Sequence, residues 1–136
     1  MSLLTSAVSM TKAMVQIDST DPGTYEKAMA DWIEQQLSDL SNVLITRENV
    51  LPGRPNLMAE IPGPKHLPAL VMICHMDTVV IGDGWTLPPF EAIEKDGKIY
   101  GRGACDMKSG LACALTAFKN MVKKVGERGE LPEKPF

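Results

Sequence analysis

The longest strongly apolar run of this chain, Ala69-Leu70-Val71-Met72-Ile73-Cys74, limits the folds open to it more than any other segment. The run shows no alternation of apolar and polar residues, and it is too short to span a bilayer. Such a run is typical of a central β-strand that is covered on both faces. We therefore predict a buried strand at residues 69–74 and an α/β fold, a layered sheet flanked by helices.

Other segments carry the periodicity of helices and strands. Apolar residues recur at helical spacing in three segments, which predicts helices over residues 3–17, 24–40 and 107–125. Two shorter segments are predicted to be strands, residues 43–47 and 56–61. Asp96-Gly97 predicts a hairpin, because this dipeptide tolerates the positive φ of a type I′ turn. The tail, residues 126–136, is polar and rich in Gly and Pro, which indicates a linker.

Composition narrows the classes of function. A chain of 136 residues forms one domain rather than two. Its net charge of −3 provides no basic surface, so we expect neither nucleic acid nor a membrane as a partner. The start of the chain lacks the features of a signal peptide. An odd number of cysteines without CxxC spacing favours reduced, mostly buried thiols in a cytoplasmic protein: Cys74, Cys105 and Cys113.

His75 and Asp77 follow the apolar run directly. In open α/β sheets, ligand sites collect at the carboxyl ends of strands, so this position suits chemistry. Residues i and i+2 share a face in extended backbone, so the Asp77 carboxylate can reach the ring nitrogen of His75 that a metal leaves free. A loop histidine beside a solvated aspartate fits the same two residues, and at this point both interpretations stay open.

Asp106 lies where a glycine-containing turn enters the last predicted helix. A carboxylate there can cap the first N–H groups of the helix, or it can bridge two divalent cations. The turn also resembles the start of a dinucleotide-binding loop, but Asp106 occupies the third glycine position, where it would repel a pyrophosphate. Nucleotide binding is therefore disfavoured. Of the neighbours, Lys108 is expected at the surface, with a local role in the site as the alternative. Cys105 is expected to be a buried structural thiol rather than a nucleophile.

Taken in order, these motifs resemble the M20 metallopeptidase family, and most closely its acetylornithine deacetylase and succinyl-diaminopimelate desuccinylase branch. The resemblance covers nearly the whole chain, so residues 1–136 are interpreted as the N-terminal part of a catalytic domain, incomplete at the C-terminus. The residues that carry it are Ser19-Thr20-Asp21-Pro22-Gly23, Ile73-Cys74-His75-Met76-Asp77-Thr78-Val79, Gly84-Trp85, Pro88-Pro89-Phe90, Asp96-Gly97-Lys98-Ile99-Tyr100-Gly101-Arg102-Gly103 and Asp106-Met107-Lys108-Ser109-Gly110.

The resemblance implies a role for each site residue. His75 would bind one Zn²⁺, Asp106 would bridge two Zn²⁺ and precede a cis peptide bond to Met107, and the catalytic residue Asp77 would orient His75. Mixed histidine and carboxylate ligands also suit Co²⁺ or Mn²⁺. The implied activity is that of a zinc-dependent amidohydrolase or exopeptidase, which hydrolyses the amide bond of an N-acyl amino acid or a small peptide.

The family has further site residues that this sequence does not contain. Its general-base glutamate, its other acidic ligands, a late histidine and an inserted dimerisation domain follow the segment that resembles this chain. The resemblance therefore implies that the 136 residues alone are inactive and hold zinc weakly, and that the complete protein is a homodimer. A non-catalytic binding or assembly module that retains the fold is the alternative.

Overall fold

The computed structural model describes residues 2–64, 66 and 69–128. Three helices form within these residues, and all three were predicted: α1 (Leu3–Val15), α2 (Lys27–Leu37) and α3 (Ser109–Arg128). The first two are shorter than predicted, whereas α3 begins two residues later and continues three residues further. At the start of α1, the Ser2 side chain accepts a hydrogen bond from the Thr5 N–H at 3.1 Å and so caps the helix.

The hydrophobic core lies between the helices and one β-hairpin. Helix α1 packs against α3, and α2 packs against the second strand of the hairpin. Each helix turns its apolar face inward, where removal of that face from water drives the packing. The buried cluster contains Met14, Met29, Ile33, Leu37, Ile61, Ala112, Leu115, Phe118, Val122 and Val125.

Six short strands pair as three two-stranded sheets in the described part of the chain. β1 (Thr20–Asp21) and β4 (Thr78–Val79) are parallel, and the other pairs are antiparallel hairpins, β2 (Leu44–Leu51) with β3 (Arg54–Glu60) and β5 (Ile93–Lys95) with β6 (Lys98–Tyr100). The α/β class is thereby confirmed. The layered sheet stays a prediction, because no sheet here has more than two strands among the described residues.

The two hairpins correspond to predictions from the sequence: the first to the two predicted strands, and the second to the predicted Asp96-Gly97 turn. Both strands of the first hairpin are present, and β2 extends beyond the predicted residue 47 to Leu51. In the second hairpin, Asp96 and Gly97 have φ values of 52° and 70°, the left-handed pair that a type I′ turn requires. The Asp96-Gly97 prediction is therefore confirmed.

The prediction of a buried strand at residues 69–74 is wrong. Residues 69–77 take part in no strand pairing, and the side chains of residues 70–73 are exposed, with Ile73 at 89%. A central parallel strand needs hydrogen-bonded neighbours at its sides and packed layers on both faces. No described strand pairs with this run, so its apolar side chains lie on the surface together with those of Val79 and Val80.

The cysteines and the tail also differ from expectation. All three cysteines are free thiols, but Cys105 and Cys113 are exposed and Cys74 is half-buried, so the expectation of mostly buried thiols is wrong. Of the tail, residues 126–128 belong to α3, and the linker predicted for the rest lies outside the described residues. No helix within the described ranges has the length and apolar character needed to cross a membrane.

Candidate metal centre

Strand β4 is held in place by the loop that carries β1. The Thr78 N–H donates to the Ser19 carbonyl at 3.0 Å, and the Ser19 hydroxyl donates to the Met76 carbonyl at 2.8 Å. Ser19 is completely buried. Because these bonds fix the backbone on both sides of Asp77, they also fix the direction in which His75 and Asp77 leave the chain.

The β1 loop is itself anchored to the first hairpin. The Arg54 guanidinium donates two hydrogen bonds to the Glu26 carboxylate, at 3.1 and 2.6 Å, and it lies 2.6 Å from an Asp21 oxygen. Its charge also lies over the Tyr25 ring, 4.9 Å from the centroid. Forked contacts of this kind restrain geometry more strongly than a single ion pair does. The hairpin therefore supports the loop on which the site segment rests.

The second site segment is an irregular turn that leads into α3. Gly103 has a φ of 75°, and a Cβ at this position would lie 2.5 Å from the Thr78 side chain, so only glycine fits. A π-helical turn, Ala104–Lys108, follows, but its backbone is not helical at Asp106 and Met107. The Asp106–Met107 peptide bond is cis, as the resemblance implied. The Asp106 carboxylate lies toward His75.

His75 and Asp106 meet at the surface although 31 residues separate them in sequence. The distance between His75 Nε2 and Asp106 Oδ1 is 2.9 Å. The side chain of Asp106 is 87% exposed and that of His75 is 43% exposed, so the pair is open to solvent. Of the two interpretations of Asp106, the helix cap is not what the structure shows, because the carboxylate contacts His75 instead.

Asp77 lies on the other side of the His75 ring. The nearest Asp77 atom to His75 Nδ1 is the backbone carbonyl oxygen at 3.0 Å, and the carboxylate oxygen lies at 3.5 Å. An acceptor at Nδ1 sets the tautomer in which Nε2 is free to bind a metal. Asp77 is thus close enough to orient the ring, through its carbonyl more directly than through the predicted carboxylate.

Both neighbouring aspartates influence the pKa of His75. The hydrogen bond with Asp106 raises the pKa of His75 above its usual value, and the Asp77 carbonyl and the two carboxylate charges act in the same direction. Partial burial acts against them without cancelling them. A proton and a metal ion compete for the same ring nitrogen, so a raised pKa makes metal binding more sensitive to acid.

The chemistry of this pair fits a divalent metal. An imidazole nitrogen and a carboxylate oxygen are both zinc ligands, and two such atoms on one tetrahedral ion lie roughly 3.3 Å apart. The observed 2.9 Å between Nε2 and Oδ1 would need to widen only slightly. Across the described residues, however, no group of three or more His, Cys, Asp or Glu side chains is arranged to hold a metal ion. His75 and Asp106 therefore remain two candidate ligands.

Lys108 is a site neighbour whose location the sequence did not reveal. Its side chain is 1% exposed, and its Nζ donates to the Ile17 carbonyl at 2.7 Å, so the expectation of a surface lysine is wrong. Burial lowers the pKa of Lys108 to about 8, although the charge of Asp18 acts to raise it. No pattern in the sequence distinguishes this lysine from a surface one, because its acceptor is a backbone carbonyl 91 residues away.

Arg102 and Trp85, two of the residues that carried the resemblance, have a structural explanation. The Arg102 guanidinium lies 5.1 Å from the centroid of the Trp85 ring, and both side chains donate to the Ile81 carbonyl. The Arg102 N–H also donates to the Pro89 carbonyl at 2.7 Å. These contacts close the long loop between β4 and β5.

Comparison with known proteins gives one family and a consistent set of relatives. Residues 71–131 match the family described as peptidase family M20/M25/M40. A probable succinyl-diaminopimelate desuccinylase of Staphylococcus epidermidis is 39% identical over 97 residues, which are 68% of this chain and 23% of the relative. The match to the family includes the whole of the Ala104–Lys108 turn.

Two further relatives match over a larger share of the chain. The succinyl-diaminopimelate desuccinylase of Sulfurimonas denitrificans is 34% identical over 113 residues, 83% of this chain and 29% of the relative. The N-formyl-4-amino-5-aminomethyl-2-methylpyrimidine deformylase of Bacillus subtilis is 34% identical over 102 residues, 72% of this chain and 24% of the relative. The chain thus spans about a quarter of the length of these relatives.

Proposed function

Since this chain belongs to the M20/M25/M40 peptidase family, we propose that it forms part of a metal-dependent hydrolase of amide bonds in N-acyl amino acids or small peptides. The observation that carries the proposal is the 2.9 Å contact between His75 Nε2 and Asp106 Oδ1. Two metal-competent side chains from distant segments converge there at an open surface. The names of the relatives, desuccinylase and deformylase, support removal of an acyl group.

Each site residue has a proposed role in this hydrolase. His75 and Asp106 hold the metal, Zn²⁺ or alternatively Co²⁺ or Mn²⁺, and Asp77 orients His75. A divalent ion, when bound, supplies a Lewis acid that polarises the amide carbonyl. The chain's own contribution is geometric: the Ser19 hydrogen bonds fix the backbone beside Asp77, and Asp77 in turn holds the ring so that Nε2 faces Asp106.

The protonation of His75 controls how readily the site is loaded. Because the hydrogen bond with Asp106 raises the pKa of His75, a larger fraction of the rings is protonated at a given acidic pH. Metal binding must displace that proton. We therefore propose that metal affinity falls as the pH decreases through the raised pKa.

The 136 residues are proposed to be inactive by themselves. The described residues supply one histidine and one carboxylate at the site, and such a set leaves most coordination positions to water. Weak zinc binding follows. A layered catalytic sheet, a cytoplasmic location and a homodimeric complete protein belong to the same proposal, and they rest on the family resemblance.

Isothermal titration with Zn²⁺ and with Co²⁺ tests the assigned ligands. We expect weak but measurable binding by the wild-type chain and at least tenfold weaker binding by His75→Ala and by Asp106→Asn. Asp77→Ala should weaken binding by about 10- to 100-fold, the usual effect of removing a group that orients a ligand. The control is His66→Ala, which removes the other, exposed histidine of the chain. Equal affinity of His75→Ala and wild type would refute the role of His75.

Hydrolysis of N-acetyl amino acids by the purified chain tests the proposed inactivity. We expect no turnover above background with or without added Zn²⁺. Clear zinc-dependent turnover that disappears in Asp106→Asn would show that the 136 residues are sufficient for catalysis. If the chain shows no turnover and no metal binding that depends on the assigned ligands, the alternative, a binding or assembly module, is favoured.

A further inference from the structure

We propose that Met107 is a positioning residue for the candidate metal centre and that Gly110 keeps the space that the Met107 side chain occupies. The inference rests on the proposed function, because it concerns how the two assigned ligands are held. The Met107 sulfur accepts a hydrogen bond from the His75 backbone N–H, with a nitrogen-to-sulfur distance of 3.3 Å. A thioether is a weak hydrogen-bond acceptor, so we expect this bond to position the His75 backbone rather than to add much stability.

Met107 closes a ring between the two site segments. Asp106 is bonded directly to Met107, whose sulfur holds the backbone of His75, while the His75 ring contacts the Asp106 carboxylate. Two links therefore join the segments, one through side chains that bind a metal and one through a group that does not. When a metal replaces the His75–Asp106 hydrogen bond, the Met107 link stays. It can thus keep the ligands near each other in both states.

Gly110 explains how the sulfur reaches this position. A Cβ at residue 110 would lie 3.2 Å from the Met107 methyl carbon Cε and 4.0 Å from its Cβ. The first distance is tighter than ordinary carbon–carbon contact, so any larger residue would push the end of the Met107 side chain away. Residue 110 is the second residue of helix α3, so it lies in the first turn, directly after the irregular Ala104–Lys108 segment.

This arrangement separates stability from positioning. Gly110→Ala should move the end of the Met107 side chain and so loosen the site, with little change in the stability of the fold. Gly126→Ala is a matched control, because residue 126 lies near the other end of α3 and its added Cβ would meet nothing within 4 Å. The control should favour the helix without affecting the site. Neither variant is expected to change the melting temperature by more than about 2–4 °C.

A metal-free measurement tests the Met107 contact directly. The His75 amide proton is followed by NMR in the wild type, in Met107→Leu and in the two glycine variants. Loss of the sulfur acceptor should shift this amide signal and speed its exchange with solvent in Met107→Leu and in Gly110→Ala, but not in Gly126→Ala. An unchanged His75 amide in Met107→Leu would overturn the proposal, whatever metal the chain binds.

Titration with Co²⁺ then tests the consequence for the ligands. Met107→Leu and Gly110→Ala should bind Co²⁺ about tenfold more weakly, the low end of the effect of an outer-shell change. Gly126→Ala should bind as the wild type does. If Met107→Leu binds Co²⁺ as tightly as the wild type does, Met107 does not position the ligands. If Gly110→Ala and Gly126→Ala have the same affinity, Gly110 does not keep the space that Met107 needs. If instead His75→Ala binds as tightly as the wild type, the proposed function fails while the amide measurement still decides the contact.

Discussion

Lys108 and Ile73 lie in neighbouring parts of the molecule and reverse the usual distribution of charged and apolar side chains. Lys108 is 1% exposed, whereas Ile73 is 89% exposed. The lysine is buried because its amine finds a carbonyl acceptor, that of Ile17, within the chain. The isoleucine is exposed because no described strand covers its segment. At these two positions, burial follows the presence of a partner rather than the polarity of the residue.

The largest test of this comparison uses two residues of the same type. Ile33 of helix α2 is 6% exposed in the core, and Ile73 is 89% exposed. Ile33→Ala should lower the free energy of unfolding by about 2–5 kcal/mol, because it removes buried methyl groups and leaves a cavity. Ile73→Ala should change it by less than about 0.5 kcal/mol. Urea unfolding followed by circular dichroism measures both, and a loss above 2 kcal/mol for Ile73→Ala would contradict its exposure.

The same contrast explains which predictions from the sequence succeeded. Helices bury their apolar faces through contacts that the 3.6-residue period encodes, and Asp96-Gly97 determines its hairpin locally. The run at residues 69–74 needs neighbouring strands, which its own sequence does not encode. The β1–β4 pair was not predicted, because each strand has only two residues and therefore shows no periodic pattern. The paired residues also lie 58 positions apart in sequence.

The site was only partly predictable for a related reason. The residue types of His75, Asp77 and Asp106 indicated metal chemistry, and their order indicated the family. Their contact distances depend on a long-range fold, in which the Ser19 hydrogen bonds and the glycine at position 103 place the two segments side by side. A buried lysine next to them had no local signal, because its hydrogen-bond partner lies in another element.

The second prediction concerns the cost of burying Lys108. Its pKa is lowered to about 8 in the folded protein from 10.5, so between these pH values the unfolded chain binds more protons than the folded one. Stability therefore rises with pH across this window, by about 3 kcal/mol if burial is the whole cause. Below pH 8 the full penalty of the buried charge remains.

The measurement is the free energy of unfolding at several pH values between 7 and 11 for wild type and Lys108→Met. The difference between the two proteins should increase in favour of the wild type as the pH rises, because methionine has no proton to lose. Lys123→Met, which changes an exposed lysine of helix α3, is the control for other titrating groups. Parallel pH profiles for wild type and Lys108→Met would contradict the burial of a titrating amine.

The smallest expected effect on stability, and the most direct test of exposure, is a charge placed at residue 73. The exposed apolar side chains at residues 70–73, with Val79 and Val80 beside them, form a surface that favours association between copies of the chain.

Ile73→Lys should leave the unfolding free energy within about 0.5 kcal/mol of wild type, because the residue packs against little. It should nevertheless shift the sedimentation-derived mass toward the monomer at high protein concentration, because a charged side chain opposes association through an apolar surface. Lys98→Ile, which makes the opposite change at an exposed residue of β6, is the control. It should not shift the sedimentation-derived mass toward the monomer. A wild-type chain that stays monomeric at all concentrations, with a destabilised Ile73→Lys, would mean that this segment is covered in solution and that the contrast with Lys108 does not hold.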